Sequence, residues 1–329
     1  MRRVMIVLLA GILAAAMTGC STANPWETGS SSSASSSEPA GSSESSASVS
    51  SESSSSSSAS SVTPILSLSE YPTVDGSTAT LPLMAKVLSE TTGTDASLAE
   101  SYVSASKTAQ SWLNLSDGNA DLLLVYEAPE SIKEQLQDGP ELEVTAIGRD
   151  ALVFIVNESN PVTSLTQDQI RGIYTGTITN WSEVGGENID IVPFQRDETS
   201  GSQTLFQKLL IGDRDLTLLD PPSELRPGMM GALVDGLAEY NNEKNAIGYS
   251  VYYYISEMYQ KPGLKLIGVD GVQPGYDTIK DNEYPLCNEF YAAIRADEPE
   301  DSPARKLYNW ICSDAGKDAL TDAGYVPAN

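Results

Sequence analysis

From residue 65 onward, short apolar runs alternate with stretches whose apolar positions recur at helical spacing. Residues 82–89 read as an amphipathic helix following the polar turn Asp75-Gly76-Ser77-Thr78. Residues 120–125, apolar apart from Asp121, and residues 151–156 suit strands buried on both faces. A helix is expected over 167–174 behind the cap Thr166, and a strand over 189–194. A helix over 204–210, a strand over 246–252 and terminal helices over 302–312 and 315–323 complete the pattern. Such alternation predicts an α/β fold with mostly parallel strands, and no internal repeat is visible.

The N-terminal region breaks this pattern. Arg2 and Arg3 precede an apolar run over 4–17, short for a lasting membrane span, so the segment reads as an export signal. It ends in Ala16-Met17-Thr18-Gly19-Cys20, which resembles a bacterial lipobox whose cysteine is lipidated and becomes the mature N-terminus. Met17-Thr18 departs from the usual Leu-Ala or Leu-Ser pair, and ordinary secretion with an incidental cysteine is the alternative. Residues 21–62 are mostly serine and alanine with scattered glutamate. With so little apolar surface to offset ordering entropy, they are expected to form a disordered tether.

Charge and residue types narrow the chemistry. Asp and Glu number 45 against 19 Lys and Arg, a formal −26, which argues against nucleic acid or an anionic membrane surface as partner. The chain has no histidine, which removes Ser-His-Asp and Cys-His triads, HExxH zinc chemistry and imidazole acid–base catalysis. Cys287 and Cys312 remain beside Cys20; an exported location permits a disulfide between them, and two buried thiols are the equal alternative.

The densest chemical signal is Arg196-Asp197-Glu198-Thr199-Ser200-Gly201-Ser202-Gln203-Thr204. An arginine lies four residues before a Ser-Gly-Ser turn that opens a helix. Unpaired N–H groups at such a start, with serine hydroxyls and a guanidinium fork, can enclose a tetrahedral oxyanion. The competing reading is a capped helix beside a surface arginine.

Several motifs, taken in order, carry a family resemblance: Asp75-Gly76-Ser77-Thr78 before Pro82, Gly148-Arg149-Asp150-Ala151-Leu152-Val153, and Leu165-Thr166-Gln167-Asp168-Gln169-Ile170 through Ile178-Thr179-Asn180-Trp181. The arginine motif, Ala246-Ile247-Gly248-Tyr249, Tyr284-Pro285-Leu286 and Ala323-Gly324-Tyr325-Val326-Pro327 follow. From about Tyr71 to Pro327 the chain resembles the periplasmic phosphate-binding proteins of ABC importers. The resemblance implies a two-lobed class II periplasmic-binding-protein fold with a ligand cleft between lobes. Lobe 1 would combine 63–147 with 250–329, and lobe 2 would be 148–249. It further implies a monomer without catalysis, cofactor or metal, held by a lipid anchor on the extracytoplasmic face of the cell membrane. Inorganic phosphate would be captured there for ABC permease subunits. The remaining alternatives are another oxyanion or organophosphate, a surface sensing or adhesion module without transport, and an exported carboxylate hydrolase.

The same resemblance nominates ligand residues. Ser77 and Thr78 precede a helix, where they either bind the anion or cap. Thr108, after Ser106-Lys107, falls at a second helix start, although the family's glycine-rich loop is missing. Arg196 would pair with the anion, with Ser200, Gly201, Ser202 and Gln203 at the helix start, and Asp197 or Glu198 could steady the guanidinium. Glu127 stands where the family has an aspartate that accepts a hydrogen bond from protonated phosphate and so rejects fully ionised sulfate. It either does that work from a shifted backbone or is a surface residue at a strand end.

Overall fold

The computed structural model describes residues 64–239 and 243–328, so Cys20 and the serine-rich stretch lie outside the described residues. The chain opens with β1 (Val74–Gly76), α1 (Leu81–Thr92), α2 (Ala96–Tyr102), α3 (Thr108–Ser116), β2 (Leu122–Val125) and α4 (Glu130–Leu136). A long strand, β3 (Leu142–Asn157), leads to β4 (Ser164–Leu165), α5 (Gln167–Thr175), β5 (Val192–Pro193), α6 (Gly201–Phe206) and α7 (Met230–Glu239). Then come β6 (Ala246–Val251), β7 (Leu264–Val269), α8 (Tyr276–Lys280), β8 (Cys287–Arg295), α9 (Pro303–Ile311), α10 (Asp314–Asp322) and β9 (Val326–Pro327).

β3 divides the fold into two halves because it changes partners midway. Leu142 to Ala151 pair with β8, which pairs with β2 and through it β1. Leu152 to Val156 pair with β6, and Phe154 to Asn157 with β7. From Ala151 onward every β3 residue is buried, as a strand covered on both faces should be. The change of pairing partner thus falls between Ala151 and Leu152. β7 (Leu264–Val269) pairs with the same part of β3 that β6 does.

The expectation of mostly parallel strands needs correction. β3 runs antiparallel to β6, β7, β8 and β9, and parallel pairing is confined to β1–β2, β4–β7 and β5–β6. Strand–helix alternation implies parallel neighbours only where each crossover returns beside its own strand. Here β8, arriving late in the chain, inserts between β2 and β3.

The helix signals act as read. Thr166 caps α5 by accepting from Gln169 N, and Ser302 caps α9 by accepting from Arg305 N. The second half packs on an aromatic cluster of Phe154, Tyr174, Phe206 and Tyr249, with Phe206 and Tyr249 centroids 4.7 Å apart. Cys287 and Cys312 are both free thiols; burial pushes Cys287 up to about 11, and its Sγ lies 3.1 Å from Tyr284 O. Among the described residues no helix is long and apolar enough to cross a membrane.

Candidate anion-binding cleft

A cavity of about 420 Å³ lies where the two halves meet, lined by residues of both. On the first-half side, Ser77 follows β1 and precedes the short turn into α1. Its Oγ lies 2.8 Å from Thr108 Oγ1 and accepts from Tyr126 N at 3.1 Å. The loop before α3 is drawn onto β1 by Asp75, whose buried carboxylate accepts from Ser106 N and Asn114 Nδ2. Lys107 completes that loop with φ at 72°, a left-handed conformation that a glycine would adopt freely. That strain helps deliver Thr108 to the cavity, and it stands where a glycine-rich loop was expected.

On the second-half side, α6 begins at Gly201, with Ser200 capping it by accepting from Gln203 N. α-Helical turns to Phe206 pass directly into a π-type turn over Gln207–Ile211, so the helical run is longer than the 204–210 segment expected from sequence. The two helix starts touch across the cleft. A Cβ added at Gly201 would lie 2.6 Å from Thr108 Oγ1, so only a glycine permits this approach.

Arg196 is 4% exposed and tied to the core through its backbone, its N donating to Tyr249 Oη at 3.0 Å. Nε donates to Pro227 O and Nη2 to Gly228 O, so its side-chain bonds go to main-chain carbonyls and none to a carboxylate. Among the described residues neither Nη1 nor Ser202 Oγ has a partner; both atoms are buried and both residues line the cavity. Burial pulls the Arg196 pKa below its ordinary value, yet a guanidinium stays charged. A buried cation that Asp197 offsets only through space is costly, and an arriving anion bonded to it lowers that cost.

Seven of the nominated residues, Ser77, Thr78, Thr108, Arg196, Ser200, Gly201 and Ser202, come together on this cavity. Gln203 does not join them, because its Oε1 accepts from Tyr249 Oη. Glu127 does not either. Its carboxylate accepts from Lys133 at 2.6 Å and from Lys208, and it lines a different surface pocket. Successive residues of an extended chain face opposite sides, and here Tyr126 is on the cavity side. Asp197 turns to Thr199 N at 2.9 Å instead of the guanidinium. Asp235 is the carboxylate on the cavity wall, where it accepts from Tyr259 Oη at 3.0 Å and from Lys261. Sequence reading missed this wall, which spans Gly228 to Asp235; the Gly228-Met229-Met230-Gly231 run signals a loop there but no ligand chemistry.

Comparison with known proteins bears on the fold and the family. The profile of the PBP superfamily domain matches residues 33–315. "Phosphate-binding protein PstS" of Borreliella burgdorferi is 25% identical over 198 residues, 59% of this chain and 68% of that protein. The protein of the same name in Bacillus subtilis is 24% identical over 186 residues, so the match spans little more than half, 56%, of each chain. An ABC-type phosphate transport receptor from Vibrio cholerae has the same fold, with a TM-score of 0.58 at 24% identity, covering 78% of this chain and 99% of that one. By profile and by two-lobed class II architecture alike, this chain belongs to the PBP superfamily.

Proposed function

We propose that the chain is an extracytoplasmic solute-binding protein that captures a tetrahedral phosphate group in the cleft for ABC-type import. Arg196 would pair with the anion, Ser202 and the first N–H groups of the α6 run would donate to it, and Ser77, Thr78 and Thr108 would close from the other half. The observation that carries this reading is the pair of buried donors without a partner among the described residues, Arg196 Nη1 and Ser202 Oγ, on one cavity. The names and titles of the Borreliella, Bacillus and Vibrio proteins support phosphate as the recognised group. Cys20 would carry the lipid and residues 21–62 the tether, with permease subunits as partners.

Binding is reversible and involves no bond making in this scheme. Donors from both halves line the cavity, so affinity depends on their approach. Calorimetric titration of the full-length chain, stripped by unfolding and refolding, tests it directly. Saturable one-to-one phosphate binding is expected; absence of binding by phosphate would overturn the reading.

A further inference from the structure

The cavity is larger than a bare oxyanion requires. Inorganic phosphate takes the room of about three waters, ~90 Å³ at ~30 Å³ each, against a cavity of about 420 Å³. A gaping cleft does not explain the difference. Thr108 and Gly201 already touch across it, Lys107 Nζ reaches Gly228 O at 3.3 Å, and Lys208 bonds Glu127 from the opposite half. The volume is therefore that of a cleft whose sides are in contact, within the range of small-molecule sites.

The walls are unequal. The donors come from both halves, Arg196 and Ser202 from the second and the Ser77–Thr108 pair from the first. Arg196 also bonds Pro227 O and Gly228 O, which places it at the junction with a second wall. That wall is built from Met229, Met230, Ala232, Val251, Tyr254 and Tyr259. The Tyr254 and Tyr259 rings stack with centroids 5.7 Å apart and planes inclined by 19°, presenting aromatic surface. Methionine side chains adapt to irregular apolar shapes. The charge on this wall, Asp235, is matched by Lys261 and bonded by Tyr259, while Lys107 lines the same cavity with its Nζ on Gly228 O.

Resting on the anion reading above, we propose that the physiological ligand is a phosphonate or phosphate monoester carrying a compact apolar or aromatic substituent. The charged head sits on Arg196 and Ser202, and the substituent lies against Met230, Tyr254 and Tyr259. Burying a phenyl-sized group adds binding free energy that inorganic phosphate lacks.

The test is a calorimetric comparison of phenylphosphonate, methylphosphonate and inorganic phosphate on the full-length chain. Phenylphosphonate is expected to bind about tenfold tighter than phosphate, or better, with methylphosphonate between them. Phosphate binding as tightly as phenylphosphonate, or more so, overturns the substituent proposal and leaves the anion reading standing. If none of the three binds, both fall. Ala232→Trp introduces an indole into the apolar wall from an exposed helical position. It should reduce the preference for phenylphosphonate over phosphate at least about tenfold. An unchanged preference would put the ring elsewhere and overturn the proposal.

Discussion

Lys208 donates to Glu127 from the opposite half of the molecule, and Lys133 donates to the same carboxylate at 2.6 Å. The acid that the sequence offers as a phosphate discriminator is thus a strut between halves, facing away from the cleft. Burial opposes its ionisation, but the two lysines prevail and hold its pKa below the ordinary value.

Glu127→Gln should leave the ratio of phosphate to sulfate affinity unchanged within about twofold, because the side chain does not meet the ligand. It should weaken both anions by a few-fold, since a partly exposed interlobe pair is worth ~0.2–1 kcal/mol. The pair's contribution is present above the ordinary carboxylate range and is lost as pH falls through the depressed Glu127 value. Competition titrations with both anions check the ratio; a changed ratio would return Glu127 to the ligand site.

Arg196→Met should reduce phosphate affinity by about a hundredfold or more, the scale for removing one partner of a buried charge pair. The ligand-free melting temperature should hold or rise, because a buried cation with no bonded counter-charge is replaced by an apolar chain of similar length. Thermal scans with and without phosphate read both effects. A large fall in the ligand-free value would mean that Arg196 serves the fold, through Pro227 and Gly228, more than the anion.

Gly201→Ala separates approach from stability. Alanine is the better helix former by about 1 kcal/mol, so the ligand-free protein should not be weakened. The added methyl meets Thr108 Oγ1 at 2.6 Å and holds the halves apart. Anion affinity should fall by about tenfold, as expected when ~1.4 kcal/mol is lost from closure. Unaltered affinity would show that Thr108 gives way.

Asp150 lies at the point where β3 changes sheets, and it accepts from Tyr126 Oη, Ala151 N and Tyr253 N. Burial raises its pKa to about 6 against those hydrogen bonds. The folded state then holds a proton that the unfolded chain releases near its ordinary value of 3.8. Stability from this group is full below about pH 4 and declines as pH rises through 6, by roughly 2–3 kcal/mol. Asp150→Asn keeps an acceptor for the two N–H groups and removes the titration. Denaturant midpoints of wild type and variant should diverge between pH 4 and 6 and run parallel above it; parallel behaviour throughout would contradict the shift.

What the sequence made legible was local. Thr166 announces its helix because a cap satisfies N–H groups within its own turn, and Arg196 with Ser200 to Ser202 is likewise a local signal, its residues lining one cavity. Whether Tyr126 or Glu127 faces the cavity is a question of which side of the extended chain each takes, which no local pattern decides. β8 carries Tyr291-Ala292-Ala293, where small residues blur the alternation that marks a strand. α7 contains Gly231 and Gly236, which weaken any helical signal, although its first turn forms the apolar wall of the cleft. The wall's identity as a wall depends on Arg196 reaching Pro227 and Gly228, a contact that no local pattern encodes.

The most direct measurement is a crystal structure of the protein grown with phosphate. Tetrahedral density within hydrogen-bond distance of both Arg196 Nη1 and Ser202 Oγ, with Thr108 closing from the other half, is the expected result. Density seated on Lys133 and Lys208 beside Glu127, with Arg196 Nη1 still partnerless, would contradict it.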